Sequence, residues 1–140
     1  SSFYTASDTA TNQAIQQQLA VLAGDMAAAR MAALIATQGA PSLDARGAAT
    51  TTFDAAVAKV RVGESATRAT SIAHQTHGAI GFTQEHALHF ATRRLWAWRE
   101  SFGSDGWWAQ RLGRAAIAAG SKGYWAGVTQ RRFAGMPASR

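Results

Sequence analysis

Residues 8–38 read DTATNQAIQQQLAVLAGDMAAARMAALIATQ, and this stretch decides the fold class. Ile15, Leu19, Leu22, Met26, Met31, Leu34 and Ile35 recur mostly at intervals of three to five residues, which predicts one apolar stripe on a helix from about Asp8 to Gln38. Ser7 or Asp8 is the expected N-cap, and the following Gly-Ala-Pro-Ser ends the segment. Elsewhere alanine is plentiful, valine and isoleucine are sparse, and no alternating run of β-branched or aromatic residues appears. A sheet has almost nothing to build from, so the chain is expected to be all-α.

Outward from that helix, the loop SLDARGAATTT leads to a second helical pattern from about Thr52 to His77. Phe53, Val57, Val60, Ala66, Ala69, Ile72 and Ala73 are its expected inward face, and the small residues permit close helix packing. Gly78, Gly81 and Thr83 then break the pattern, with Thr83 the expected N-cap of a third helix from about Gln84 to Glu100 that carries Leu88, Leu95 and Trp98 on or near one side. Residues 101–106, SFGSDG, form a turn in which Ser104 or Asp105 can cap a fourth helix ending near Gly120. The last twenty residues have no clear period and are expected to form a short helix or a docking tail. Four helices with short connections predict an antiparallel up-and-down four-helix bundle with a short C-terminal tail, one domain over residues 1–140.

Composition agrees with a single core: 140 residues, 47% of them hydrophobic, with two prolines. The absence of cysteine removes disulfides and thiolate metal sites and fits a reducing compartment. The chain has no uncharged apolar run of the ~20 residues a membrane span needs, so a soluble, cytoplasmic protein with no membrane partner is expected. Twelve arginines and two lysines against eight acids give a net charge of +6 and point to an anionic ligand or partner.

Chemistry concentrates in residues 74–89, HQTHGAIGFTQEHALH, which hold all four histidines as two His-x-x-His pairs. Histidines three apart share a helix face and could bind metal. Nothing in the spacing makes the pair His74 and His77 converge on His86 and His89, however, and no metal site is assigned. In ATRRLWAWRE, Arg93, Arg94 and Arg99 interleave with Trp96 and Trp98 as in a nucleic-acid surface. The two tryptophans point about 200° apart on a helix, so they read better as core or interface anchors, and nucleic acid is not expected as a partner. Neither a Gly-x-Ser-x-Gly elbow nor a Walker-type loop is present. The segment Gln75 to Phe82 is either a tight interhelical turn or a contact where small residues and a helix N-terminus admit a phosphorylated cofactor.

The stretch AAVAKVRVGESATRATSIAHQTHGAIGFTQEHALHFATRRLWAWRESFGS resembles the C-terminal helical domain of acyl-CoA dehydrogenases. It carries a counterpart of that family's Gln-x-x-Gly-Gly-x-Gly-Phe turn, the acid that follows, and the arginine pair of the next helix. QAIQQQLAVLAGDMAAAR resembles the preceding family helix, so the likeness covers roughly residues 13–113. The resemblance implies FAD as cofactor and an acyl-CoA thioester as substrate of the full-length enzyme. It also implies a homo- or hetero-oligomer in which Gln75, Gly78 and Ala79 contact the adenosine diphosphate part of a flavin held mainly by a neighbouring subunit.

Ser104 keeps the hydroxyl of the family's Gly-hydroxyl pair and is the expected contact to the flavin or its ribityl chain. Arg114 falls where some members have an arginine near the CoA pocket. Ala79 replaces the second glycine of the usual pair and would disfavour a positive φ there. Phe102 stands where many members have the glutamate base, so no catalytic residue is assigned. SSFYTASDTATN replaces the usual Arg-x-x-Phe-Gly segment before the first helix. The chain looks like the last domain of such an enzyme, inactive by itself. The alternatives are a non-catalytic helical interaction module, such as a partner subunit without flavin, and a basic nucleic-acid-binding bundle.

Overall fold

The computed structural model describes residues 2–38, 45–80 and 85–136. They form four helices, α1 (Ser2–Gln38), α2 (Ala45–Ile80), α3 (Glu85–Glu100) and α4 (Asp105–Thr129), with no strand among them. The all-α expectation holds. Helix α1 begins before Ser7 and Asp8, and α2 begins inside the stretch expected to be a loop. Helix α2 also runs through Gly78 to Ile80, three residues beyond His77. Thr83, the expected cap of α3, and Gly81 lie outside the described residues, as does the Gly-Ala-Pro-Ser segment expected to end α1.

Helix α2 is the hub, and each other helix packs on it. Gln18 meets Gln75 while Asp25 meets Arg61, Ser65 and Arg68, so α1 runs antiparallel to α2. His74 meets Thr92 and Lys59 meets the end of α3, and lower down Gly63 meets Asp105 while Asp54 meets Arg131. Helices α3 and α4 therefore follow one another along α2, both antiparallel to it. The bundle's antiparallel relation holds for each helix with α2 rather than for every successive pair.

The core lies between the N-terminal half of α2, helix α4 and the tail: Phe53, Ala56, Trp108, Ala115, Phe133 and Met136 are buried there. The end of the chain docks, one of the two alternatives expected of it, and supplies Phe133 and Met136 to this core. Helix α4 does not stop at Gly120 but breaks there (φ 66°, ψ 177°) and resumes to Thr129. It ends in a Schellman arrangement: Arg132 N–H donates to Gly127 O at 2.9 Å and Arg131 N–H to Val128 O at 3.2 Å, with Arg131 left-handed at φ 54°. Arginine accepts a conformation that glycine adopts more easily. Its guanidinium then lies 3.5 Å from the buried carboxylate of Asp54, a charge contact longer than a hydrogen bond. The turn sends Phe133 back over Gly127 and onto Phe53, with ring centres 5.7 Å apart at 61°.

Helix α1 corrects the expected stripe. Its contact face carries the partly buried Ile15, Gln18, Leu22 and a series of alanines around the buried Asp25, whereas Leu19, Met26, Met31 and Leu34 are exposed. Small residues let α1 approach α2, and Asp25 is held there by Arg61 at 3.1 Å and Arg68 at 2.6 Å. Packed mainly on α2 among the described residues, α1 leaves the rest of its apolar belt uncovered. By length and composition alone, its Thr9–Gln38 span is also apolar enough to cross a membrane.

Candidate functional site

Gln75, Gly78 and Ala79 all belong to the last turns of α2. Gly78 does not take a positive φ, so the alanine at 79 sits in helical backbone and carries none of the strain expected of it. The side chain of Ala79 lies outside the described residues. Gly78 is exposed, and a Cβ built on it would meet nothing within 4 Å. Gln75 is exposed as well, its Oε1 accepting from Gln18 Nε2 at 3.3 Å, which leaves its own NH2 group as a donor for a ligand. Because α3 runs antiparallel to α2, its first turn lies at this same end of the molecule.

Ser104 is elsewhere. It sits at the α3–α4 junction, level with Gly63 on α2, so a rise of about 1.5 Å per residue puts it about 18 Å along α2 from Gln75. It is the N-cap of α4, as expected, in extended backbone with its Oγ accepting from Trp107 N–H at 3.2 Å. The hydroxyl hydrogen is left for another acceptor.

The junction around Ser104 is fixed by contacts that the sequence pattern did not disclose. Lys59 reaches from α2 to donate to the carbonyls of Arg99 (3.1 Å) and Ser101 (2.7 Å), capping the C-terminal end of α3. Trp108 Nε1 donates to Phe102 O at 3.1 Å, and Arg99 pairs with Asp105 at 2.7 Å. Gly103, at φ 90°, packs where a Cβ would come within 3.0 Å of Trp108 Nε1. Phe102 has φ 59° and is 96% exposed, so its apolar ring is held outward. A signal for the Lys59 contact was available in principle, since a lone lysine on a mostly apolar helix face can reach a neighbouring helix end.

The hydrogen bond from Arg99 holds the Asp105 carboxyl below its ordinary pKa, against the opposing effect of burial. A depressed folded pKa contributes stability that is fully present above the unfolded value, near 4, and is lost as pH falls through the folded value. Asp54 has the opposite sign: burial raises its pKa, with Arg131 partly offsetting. Asp105→Asn is therefore expected to lower the urea midpoint at neutral pH and to converge with the wild type as pH falls below about 4; parallel curves between pH 7 and 3 would show that the pair does not contribute.

Two clefts flank this region. One of about 250 Å³ between α2 and α3 is lined by Val62, Ala66, Leu95 and Trp98, with Lys59 and Arg99 already engaged at its edge. The other, about 320 Å³, lies between α4 and the tail and is lined by Arg111, Arg114 and Met136. The tryptophans of α3 are not core anchors: Trp98 is 64% and Trp96 43% exposed, under Arg94 and Arg99 respectively.

Among known proteins, a family model described as acyl-CoA dehydrogenase, C-terminal domain, matches residues 5–117. No curated protein and no solved structure gives a significant match.

Proposed function

This chain belongs to the acyl-CoA dehydrogenase family through its C-terminal domain, and from that premise we propose that it serves a flavin-dependent dehydrogenase as its cofactor-contacting and assembly domain. When bound, FAD would supply the acceptor for the β-hydride of an acyl-CoA thioester whose α-proton goes to a carboxylate. The residues of this chain suit the binding part of that task. The single observation that carries this reading is the open backbone at Gly78 beside the donor of Gln75. An adenosine diphosphate group needs both close approach and a hydrogen-bond partner, and the N–H groups of the first turn of α3 at the same end suit its phosphates.

Ser104 is proposed to make a separate contact, donating its hydroxyl hydrogen to the flavin or ribityl portion. Its distance from Gln75 fits a domain that touches two parts of a long cofactor, or two copies of it. No residue here is assigned as the base, and the carboxylate would come from another part of the enzyme. The uncovered Leu19, Met26, Met31 and Leu34 of α1 favour assembly, since an apolar strip of this kind needs a neighbouring domain or subunit. Arg111 and Arg114 offer the adjoining cleft charge suited to an anionic substrate such as acyl-CoA.

Gly78→Leu in the complete gene product tests the proposal. A Cβ at this position meets nothing within 4 Å, so helicity and melting temperature should be unchanged or higher while flavin content, read from visible absorbance, falls at least tenfold. Flavin retained at the wild-type level would reject the Gly78 contact. The exposed Phe102 in place of a base favours a second reading, a partner subunit without flavin; a complete wild-type protein that purifies colourless and binds no added FAD would select it.

A further inference from the structure

The sequence pairs His74 with His77 and His86 with His89, whereas the structure joins one member of each pair. His74 on α2 and His89 on α3 have ring centres 5.5 Å apart, with planes inclined at 57°. An ion bound at about 2.0–2.1 Å to one nitrogen of each ring at a tetrahedral angle would hold the ring centres about 5 Å apart. The observed separation is compatible with such ligation once the side chains turn one nitrogen of each ring toward the other. His74 Nε2 also lies 3.3 Å from Thr92 Oγ1, one helical turn from His89. With Nε2–H donated to that hydroxyl, the His74 lone pair is placed on Nδ1 and the ring is held against rotation, as metal-ligating histidines are usually held by a partner on the second nitrogen.

We propose that His74 and His89 form a two-histidine site for a late first-row divalent cation, Cu²⁺, Ni²⁺ or Zn²⁺, bridging α2 to α3. Imidazole pairs select these ions over Mg²⁺ and Ca²⁺, which take oxygen ligands. Among the described residues no three His, Cys, Asp or Glu side chains come together, so water or an external ligand completes the coordination. His89 is exposed and His74 only half-buried, leaving an entry path. A bound ion would fasten α3 to α2 near the end carrying Gln75 and Gly78.

The test uses the untagged 140-residue chain titrated with Cu²⁺ and, separately, Zn²⁺. One Cu²⁺ per chain with two-nitrogen hyperfine structure in its electron paramagnetic resonance spectrum is expected. Zn²⁺ should raise the melting temperature, because a ligand that binds only the folded state stabilises it. His74→Ala and His89→Ala should each weaken Cu²⁺ binding at least tenfold, and His77→Ala should not. His89 is on the surface, so that variant remains folded by circular dichroism and decides the matter even if His74→Ala does not. Wild-type affinity retained in His89→Ala, or a loss that follows His77 instead, would overturn the site.

Discussion

Phe133→Ala is expected to lower the unfolding free energy by about 3–5 kcal/mol, the range for truncating a buried phenylalanine. Phe133 is 4% exposed although it lies beyond the last helix. Its ring meets Phe53 edge-on, stacks with Tyr124 at 6.2 Å between centres, and covers Gly127 closely enough that a Cβ there would collide with it. Removing it opens a void where α2, α4 and the tail meet, and the tail loses its main attachment beside the Arg131–Asp54 contact. Collapse cannot fill the void readily, because the neighbouring backbone is fixed by the Schellman turn. Urea denaturation provides the measurement, with Ile117→Ala, 82% exposed, as a control expected to change stability by less than about 0.5 kcal/mol. A loss below about 1 kcal/mol for Phe133→Ala would mean that the tail is not docked.

That outcome bears on what a sequence pattern can disclose. The all-α class, the Ser104 cap and the inward face of α2 were legible because each depends on a local rule: a period, a capping hydroxyl, a run of small residues. Phe133 was not, because arginine rather than glycine occupies the left-handed position that turns the chain back, and residues 121–136 then show no continuous period. Periodicity found the apolar belt of α1 but not which part of it meets a partner. Asp25 lies on the contact face because Arg61 and Arg68 come to it from α2, information held 36 and 43 residues away. The glycine turn behaved likewise. Its composition marked Gln75, Gly78 and Ala79 through a family likeness, but only the backbone showed that 78 and 79 are helical and that alanine therefore fits. The histidines show the limit most directly: the partner of His74 is set by how α3 lies on α2, which a spacing within one helix does not encode.

The second large effect is expected at Gly63, where two opposing contributions have known sizes. Alanine in place of glycine within a helix gains about 1 kcal/mol from a lower backbone entropy cost. Gly24 on α1, where a new Cβ meets nothing within 4 Å, should show this gain nearly intact. At Gly63 the same Cβ would lie 2.6 Å from Asp105 Cβ and Oδ2 and 2.7 Å from Cγ, and these atoms adjoin the backbone of the first turn of α4 and cannot swing clear. Relief requires α4 to move away from α2, which stretches the 2.7 Å Arg99–Asp105 bond and lifts Trp108 from the core. Overpacking of this kind costs about 1–3 kcal/mol, and a part-buried charge pair disturbed with it adds to the cost. Gly63→Ala should therefore be less stable than wild type by about 1–3 kcal/mol while Gly24→Ala is more stable, and Gly63→Val should lose more again. Urea midpoints for the three variants settle the balance: if Gly63→Ala gained stability as Gly24→Ala does, α4 would not be seated against α2 at this level, and the junction that presents Ser104 would have to be drawn differently.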